Sequence, residues 1–356
     1  MVGRGIDQIL AHPSDPVLHE PFVRDARDYV TLAEEVSGPV ARNVAPEYVW
    51  GDALELFEQA APDARIVNLE TSITRDGEHD PSKGVHYRMH PENVACLSAA
   101  AIDVCVLANN HVLDWGRSGL FETLDSLAKA GIAVAGAGRS LEQAQRPAGV
   151  PMRGGGRALV FGLGDDSSGI PASWRAEPGR AGIDLLTDLS DRTADAIGER
   201  VRAKRRPHDI VVASVHWGSN WGYEVQSAHV RFARALIDRG VDVVHGHSSH
   251  HPRPIEIHKG KLVLYGCGDL LDDYEGIGGH RAYRGELVLA YLPTLDGEGR
   301  LVELRMLPFR VRRMRLERAV PDDVRWLAQT LERISRHDGL GRVTVDDAGA
   351  LVASAG

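Results

Sequence analysis

The sequence predicts an α/β fold: a two-sheet sandwich flanked by helices, in a single domain. Three observations carry that prediction. Apolar, β-branched runs alternate with helical periodicity through the first half of the chain. Hairpin signals join them in the later part. Four of the apolar runs break off abruptly in polar residues: Arg65-Ile-Val-Asn68-Leu-Glu70, Val104-Cys-Val-Leu-Ala-Asn-Asn-His111, Val211-Val-Ala-Ser-Val-His216-Trp-Gly218, and Val241-Asp-Val-Val-His245-Gly-His247-Ser-Ser-His250-His251. Each reads as a buried strand feeding a polar loop, and open α/β sheets place their chemistry at such strand ends.

Taken in order, residues 1–20 have no regular period, and Pro13, Pro16 and Pro21 keep the backbone extended. Residues 23–36 put Val23, Ala26, Tyr29, Val30 and Ala33 on one helical face. A second helix over 51–60 precedes strand 65–69. Residues 71–90 form a polar loop, long for a structureless connection, which marks a functional or mobile segment. Pro91 opens a helix at its first turn. The central strand spans 102–108, and a helix over 117–130 ends at Gly131. A strand at 132–135 and a small helix at 140–145 follow. Strands near 148–152 and 157–163 flank Gly154-Gly-Gly156, and residues 164–182 read as a loop. Ser190 caps a helix that runs to about Lys204. After the His216 strand comes a helix at 227–239, then a hairpin of 254–258 and 261–265 across Lys259-Gly260. Strands 285–292 and 301–309 pair across a Gly-containing turn. A helix over 321–336 precedes a weakly ordered tail. The main domain is thus 1–320, and 321–356 is a terminal helix with that tail.

The 43% hydrophobic and 26% charged content belongs to an ordinary globular chain. A net charge of −9 argues against nucleic acid as the main partner. Cys96, Cys105 and Cys267 lack CxxC spacing and suit buried thiols in a reducing compartment. The apolar runs are strand-sized, far below the ~20 residues that span a bilayer. No signal-peptide core precedes them, so the expected location is cytoplasmic.

Imidazole nitrogen, carboxylate oxygen and amide oxygen together suit a divalent ion such as zinc, manganese or iron. One or two such ions could activate a water and hold an oxyanion. Glu70 is a metal ligand, or else a helix cap or surface ion pair. Asn110 is a ligand or a left-handed turn residue. His216, His247 and His250 are ligands or satisfied core histidines. His245 and His251 stand beside them in supporting roles. His111 is the acid/base candidate, because imidazole titrates near neutrality. Asp114 either orients that ring or caps the next helix. Arg88 could hold an anionic substrate through its guanidinium, with Glu224 as a further contact. His79, His86 and His90 belong to the 71–90 surface loop, and Gly136-Ala-Gly138 is too short for a nucleotide fingerprint.

Over about residues 1–290 the chain resembles the CapA family of poly-γ-glutamate capsule synthesis proteins, which are similar in fold to calcineurin-like metallophosphoesterases. The marks are Asn68-Leu-Glu70-Thr-Ser, Ala108-Asn-Asn-His111-Val-Leu-Asp114-Trp-Gly116, His216-Trp-Gly218 with Glu224, Gly246-His247-Ser-Ser-His250-His251-Pro252, and Tyr265-Gly-Cys-Gly-Asp269. The resemblance implies a four-layer α/β/β/α sandwich of the metallo-dependent phosphatase type. It implies that Asn110, His216, His247 and His250 ligate metal, and that His111 takes the place of the phosphoesterase acid. Two departures accompany it. The usual first strand, ending in Gly-Asp, is missing where Met1 stands, and Asp7 is the candidate substitute for its aspartate. The Gly-His-Ser-Ser-His-His run leaves open whether His250 or His251 faces the metal; His251 otherwise contacts substrate. Three functions are compatible with these residues: a metal-dependent hydrolase acting on an anionic phosphoester or peptide-like substrate, a metal-assisted peptide epimerase, and a non-catalytic accessory protein of polymer synthesis or export.

Overall fold

The computed structural model describes residues 1–336 and 339–354. Its strands form one three-stranded, one six-stranded and one five-stranded sheet, with two small strand pairs beside them. The three-stranded sheet is parallel, in the order Ile66–Asn68, Val104–Val106, Ala133–Ala135. The six-stranded sheet runs Ile255–His258, Lys261–Leu264, Val243–His247, Ile210–His216, Arg157–Gly164, Ala148–Pro151. Its four middle strands are parallel and its two edges antiparallel.

Period-two alternation explains how these strands are covered. Val211, Ala213 and Val215 pack on one face with Ala194, Ile197 and Val201 of helix Asp191–Lys204 and with Phe232 and Leu236 of helix Ser227–Asp238. Val212 and Val243, on the other face, share a core with Val104 and Val106 of the three-stranded sheet. His216 and His247 lie on this same inward face, because each stands an even number of residues from Val212 or Val243. They are also direct neighbours in the parallel register. The far side of the three-stranded sheet carries a third core, which includes Cys105, Leu120 and Leu127. Ser190 caps its helix as its spacing predicts, accepting a hydrogen bond from the Thr193 amide.

Four expectations need correction. The N-terminal stretch is not wholly extended, because Gly5–Ile9 forms one helical turn. The 71–90 segment is not structureless: Ser72–Ile73 and Arg88–Met89 pair as parallel strands and fasten both of its ends. Between residues 164 and 182 two short 3-10 turns occur, Asp166–Ser168 and Ala172–Trp174, and Gly182–Ile183 pairs with Ala137–Gly138. The tail is not weakly ordered over 344–353. Leu351–Ala353 pairs with Leu301–Arg312 and with Thr344–Val345, and its Leu351 side chain is fully buried. That burial offsets the ordering entropy that a polar terminus would lose without return.

All three cysteines are free and buried. Burial pushes the Cys96 thiol up to about 12 and raises Cys105 and Cys267 as well. A thiol held protonated and out of solvent does not attack disulfides. The native protein is therefore expected to leave a disulfide dye unreacted, whereas the urea-unfolded chain titrates all three thiols. Rapid reaction of even one native thiol would contradict this packing.

Candidate metal centre and acid/base pair

The parallel strands bring their C-terminal ends to one side of the two sheets that share a core. Glu70 follows the Ile66–Asn68 strand, Asn110 and His111 follow Val104–Val106, and His216 ends Ile210–His216. His216 Nε2 lies 3.2 Å from Asn110 Oδ1 and 3.9 Å from Glu70 Oε1. Asn110 donates its amide to the Ser168 carbonyl, which turns Oδ1 toward His216. Asn68 donates to Glu70 Oε2 at 2.9 Å and fixes the other carboxylate oxygen.

Behind this trio stands a row of imidazoles. His216 Nδ1 and His247 Nδ1 are 2.9 Å apart, and Ser214 Oγ bridges His247 Nε2 at 3.0 Å and His245 Nδ1 at 2.9 Å. Burial drives His216 and His247 well below the usual imidazole range and His245 down to about 4, so all three are neutral. Burial also pushes the Glu70 carboxyl up to about 7; neighbouring His250 opposes the rise and Asp269 adds to it.

The donor set fits a cation. When the Nδ1 proton of His216 is given to His247, Nε2 is left as a lone pair facing the oxygens of Asn110 and Glu70. Three acceptors turned on one another are stabilised by a proton or a metal ion. Asn110, His216 and Glu70 could hold one ion, with His247 next to them. Among the described residues, however, no group of three or more His, Cys, Asp or Glu side chains stands in metal-holding geometry.

His250 stands beside the trio with its ring held by a carboxylate. Its Nδ1 pairs with Asp269 at 2.9 Å. Burial works against its cation, but Asp269, Glu70 and Asp272 outweigh that and lift its pKa to about 9. The Asp269 contact occupies Nδ1 and leaves Nε2 as the ring's other nitrogen. His251 is turned elsewhere, with Nδ1 on the Pro252 carbonyl and its ring against Tyr283.

His111 and Asp114 meet beside the trio. His111 Nδ1 lies 2.6 Å from Asp114 Oδ2, so Asp114 orients the ring. Asn109 fixes the loop by accepting from the His111 and Val112 amides. Tyr87 stands edge-on to the imidazole, at 4.4 Å between centroids. Lys83 reaches in from the 71–90 segment to Asp114 and the Asn110 carbonyl, 3.3 Å from His111 Nδ1. Burial lowers the His111 pKa to about 4; Asp114 opposes the fall and Lys83 adds to it. His111 is therefore neutral near pH 7.

The remaining candidates lie apart. Arg88 sits over the Trp115 ring at 4.0 Å and donates to the Asp15 carbonyl. Tyr87, its neighbour in sequence, is buried instead. Glu224 is exposed, and its carbonyl accepts from Arg253. Asp7 does not substitute for a metal-binding aspartate: its buried carboxylate accepts from the amides of Ser14 and His90 and from the Asn93 side chain. The sequence reading missed Lys83 and Tyr87, whose only signal was the length of their loop. Asp269 stood in the Tyr265-Gly-Cys-Gly-Asp269 run with nothing in the sequence to pair it with His250.

Comparison with known proteins agrees with the family resemblance drawn from the motifs. The chain is 52% identical over 349 residues to a "Probable polyglutamine synthesis accessory protein" of Mycobacterium tuberculosis, covering 98% of this chain and 92% of that one. It is 27% identical over 299 residues to the "PGA biosynthesis protein CapA" of Bacillus subtilis, covering 81% and 70%. A solved 5'-nucleotidase precursor from Thermus thermophilus overlaps 65% of this chain and 41% of that one at 16% identity and a TM-score of 0.38, too loosely to carry an argument. The family model for bacterial capsule synthesis protein PGA_cap matches residues 1–274, and the chain belongs to that family.

Proposed function

We propose that this protein is a metal-dependent hydrolase of capsule or poly-γ-glutamate synthesis, acting on an anionic phosphoester or peptide-like substrate. The observation that carries this reading is the meeting of Glu70, Asn110 and His216 from three strand ends beside the His111–Asp114 pair. In the same reading, the shared core between two sheets and the helices outside them form a four-layer α/β/β/α sandwich of the metallo-dependent phosphatase type.

Asn110, His216 and Glu70, with His247 adjoining, would hold one or two divalent ions of the manganese, zinc or iron type. Such an ion supplies Lewis acidity, polarising a substrate oxygen and acidifying a water. The residues do the rest. His111, its Nδ1 proton committed to Asp114, takes a proton at Nε2. The Tyr87 ring keeps solvent from one flank of that imidazole. Protonated His250 offers positive charge to an anionic group.

Purified full-length protein is expected to carry manganese, zinc or iron by elemental analysis, and the His216→Ala and Asn110→Ala variants to lose it together with ester or γ-glutamyl peptide hydrolysis. Deuterium uptake from solvent without bond cleavage would replace hydrolysis by epimerisation. The accessory reading draws on the lack, among the described residues, of a full His/Cys/Asp/Glu cluster. Wild-type protein with neither metal nor turnover would establish that reading and end the proposal.

A further inference from the structure

Next to the candidate centre, four rings from three loops build an aromatic box that the mechanism above does not use. Trp221 and Tyr223 follow the His216 strand, His251 follows the His247 strand, and Tyr283 comes from the glycine-rich segment at 276–283. His251 and Tyr283 stack at 4.4 Å between centroids and 24° between planes. Trp221 lies nearly parallel to His251, at 5.9 Å and 17°, and Tyr223 meets His251 edge-on at 4.9 Å. The rings adjoin the centre: Trp221 also stands 5.5 Å from His250, and the Asn220 carbonyl accepts from the His250 amide.

Two independent details point to a ligand. The first is a buried atom. His251 Nδ1 is 2.9 Å from the Pro252 carbonyl, so Nδ1 carries the ring proton and Nε2 is a bare lone pair. That Nε2 is buried and has no partner, in a side chain only 1% exposed. A buried acceptor without a partner is destabilising, so the site is built for a donor. The second is a plug. His280, exposed and carried by a segment with Gly278 and Gly279 next to it, lies flat on Trp221 at 3.9 Å and 12°. Gly279 has φ +116 and open space where a side chain would stand, so the backbone there is free of packing. His280 holds the spacing and tilt that a flat ligand group would take.

We infer that this box is a substrate subsite for a neutral planar amide, in which an amide N–H donates to His251 Nε2 and the amide plane replaces His280 on Trp221. The inference rests on the proposed hydrolase reading and narrows it to an amide-bearing, peptide-like substrate. A carboxylate has no proton for Nε2 at neutral pH, and the negative charge of a carboxylate or phosphate group would face a lone pair. The anionic part of the substrate is left to His250.

The test uses full-length protein and binding alone, so it does not depend on turnover. N-acetylglycinamide, a neutral diamide, is titrated while Trp221 indole and His251 imidazole resonances are followed, with acetate and inorganic phosphate as comparison probes. The amide is expected to shift both sets of resonances, including the Nε2 nitrogen signal of His251. His280→Ala, which removes a stacked competitor, is expected to bind it about threefold to tenfold more tightly. Trp221→Ala is expected to abolish the response while its circular dichroism stays native. An unshifted His251, equal binding of acetate, or unchanged affinity in His280→Ala would overturn the subsite. Loss of the metal centre with amide binding intact would instead overturn the hydrolase reading alone.

Discussion

Arg4→Met is expected to cost about 3–5 kcal/mol of stability, because it leaves two carboxylates buried without their cation. Arg4 is 4% exposed and Glu20 is fully buried. The guanidinium forks onto Asp273, with Nε to Oδ2 at 2.8 Å and Nη2 to Oδ1 at 2.7 Å, and its third nitrogen reaches Glu20 at 2.9 Å. Its flat face lies 3.6 Å from the Tyr29 ring centroid. These contacts join segments 269 positions apart in sequence and hold Arg4 at φ 56, a left-handed conformation that few side chains accept. Lysine keeps the charge but cannot fork, so Arg4→Lys is expected to recover only part of the loss. Urea unfolding followed by circular dichroism measures both. A loss below about 1 kcal/mol in Arg4→Met would show that the network is not holding these segments together.

The ease of reading this chain depended on where each contact partner lies in sequence. Strand ends were legible, because an apolar run that stops in Asn-Asn-His can only be a buried strand leaving its sheet. Even the inward direction of His216 and His247 follows from counting by twos from Val212 and Val243. Ser190 was legible for the same local reason, since a cap needs only its own first turn. Arg4 was not: nothing near Gly3-Arg4-Gly5 shows that Asp273 will meet it. Lys83 was missed likewise, because a lysine in a polar loop looks solvated until the loop is known to close on Asp114. The tail misled for the opposite reason. Leu351-Val-Ala353 is too short to announce a strand, and it becomes one only because Leu301–Arg312 offers an unpaired edge. His250 and His251 are adjacent, and spacing alone did not show that one ring goes to Asp269 and the other to Tyr283.

His111→Ala is expected to lower turnover by ~10²–10⁴-fold, the usual worth of a positioned proton acceptor, with metal content unchanged. Asp114→Asn should lose nearly as much. An amide can still meet Nδ1, but it neither stabilises the imidazolium formed when Nε2 takes a proton nor balances Lys83. The pH profile follows from the environment of the ring. Burial, with Lys83 adding, holds the folded pKa at about 4 against the opposing pull of Asp114. Neutral His111 is thus the competent form throughout the neutral range, and turnover should fall only as pH drops through about 4. The same shift links to stability with a definite sign. Below the ordinary imidazole value of 6.5 the unfolded chain takes up a proton that the folded chain refuses until about pH 4. This group's contribution to stability is therefore present above that ordinary value, declines as pH falls across the interval, and levels off once both states are protonated. An acid limb near the free-imidazole value would mean that burial does not set the basicity of His111, and one unmoved in Lys83→Met that Lys83 does not. Comparable turnover in wild type and His111→Ala would remove the ring from the chemistry altogether.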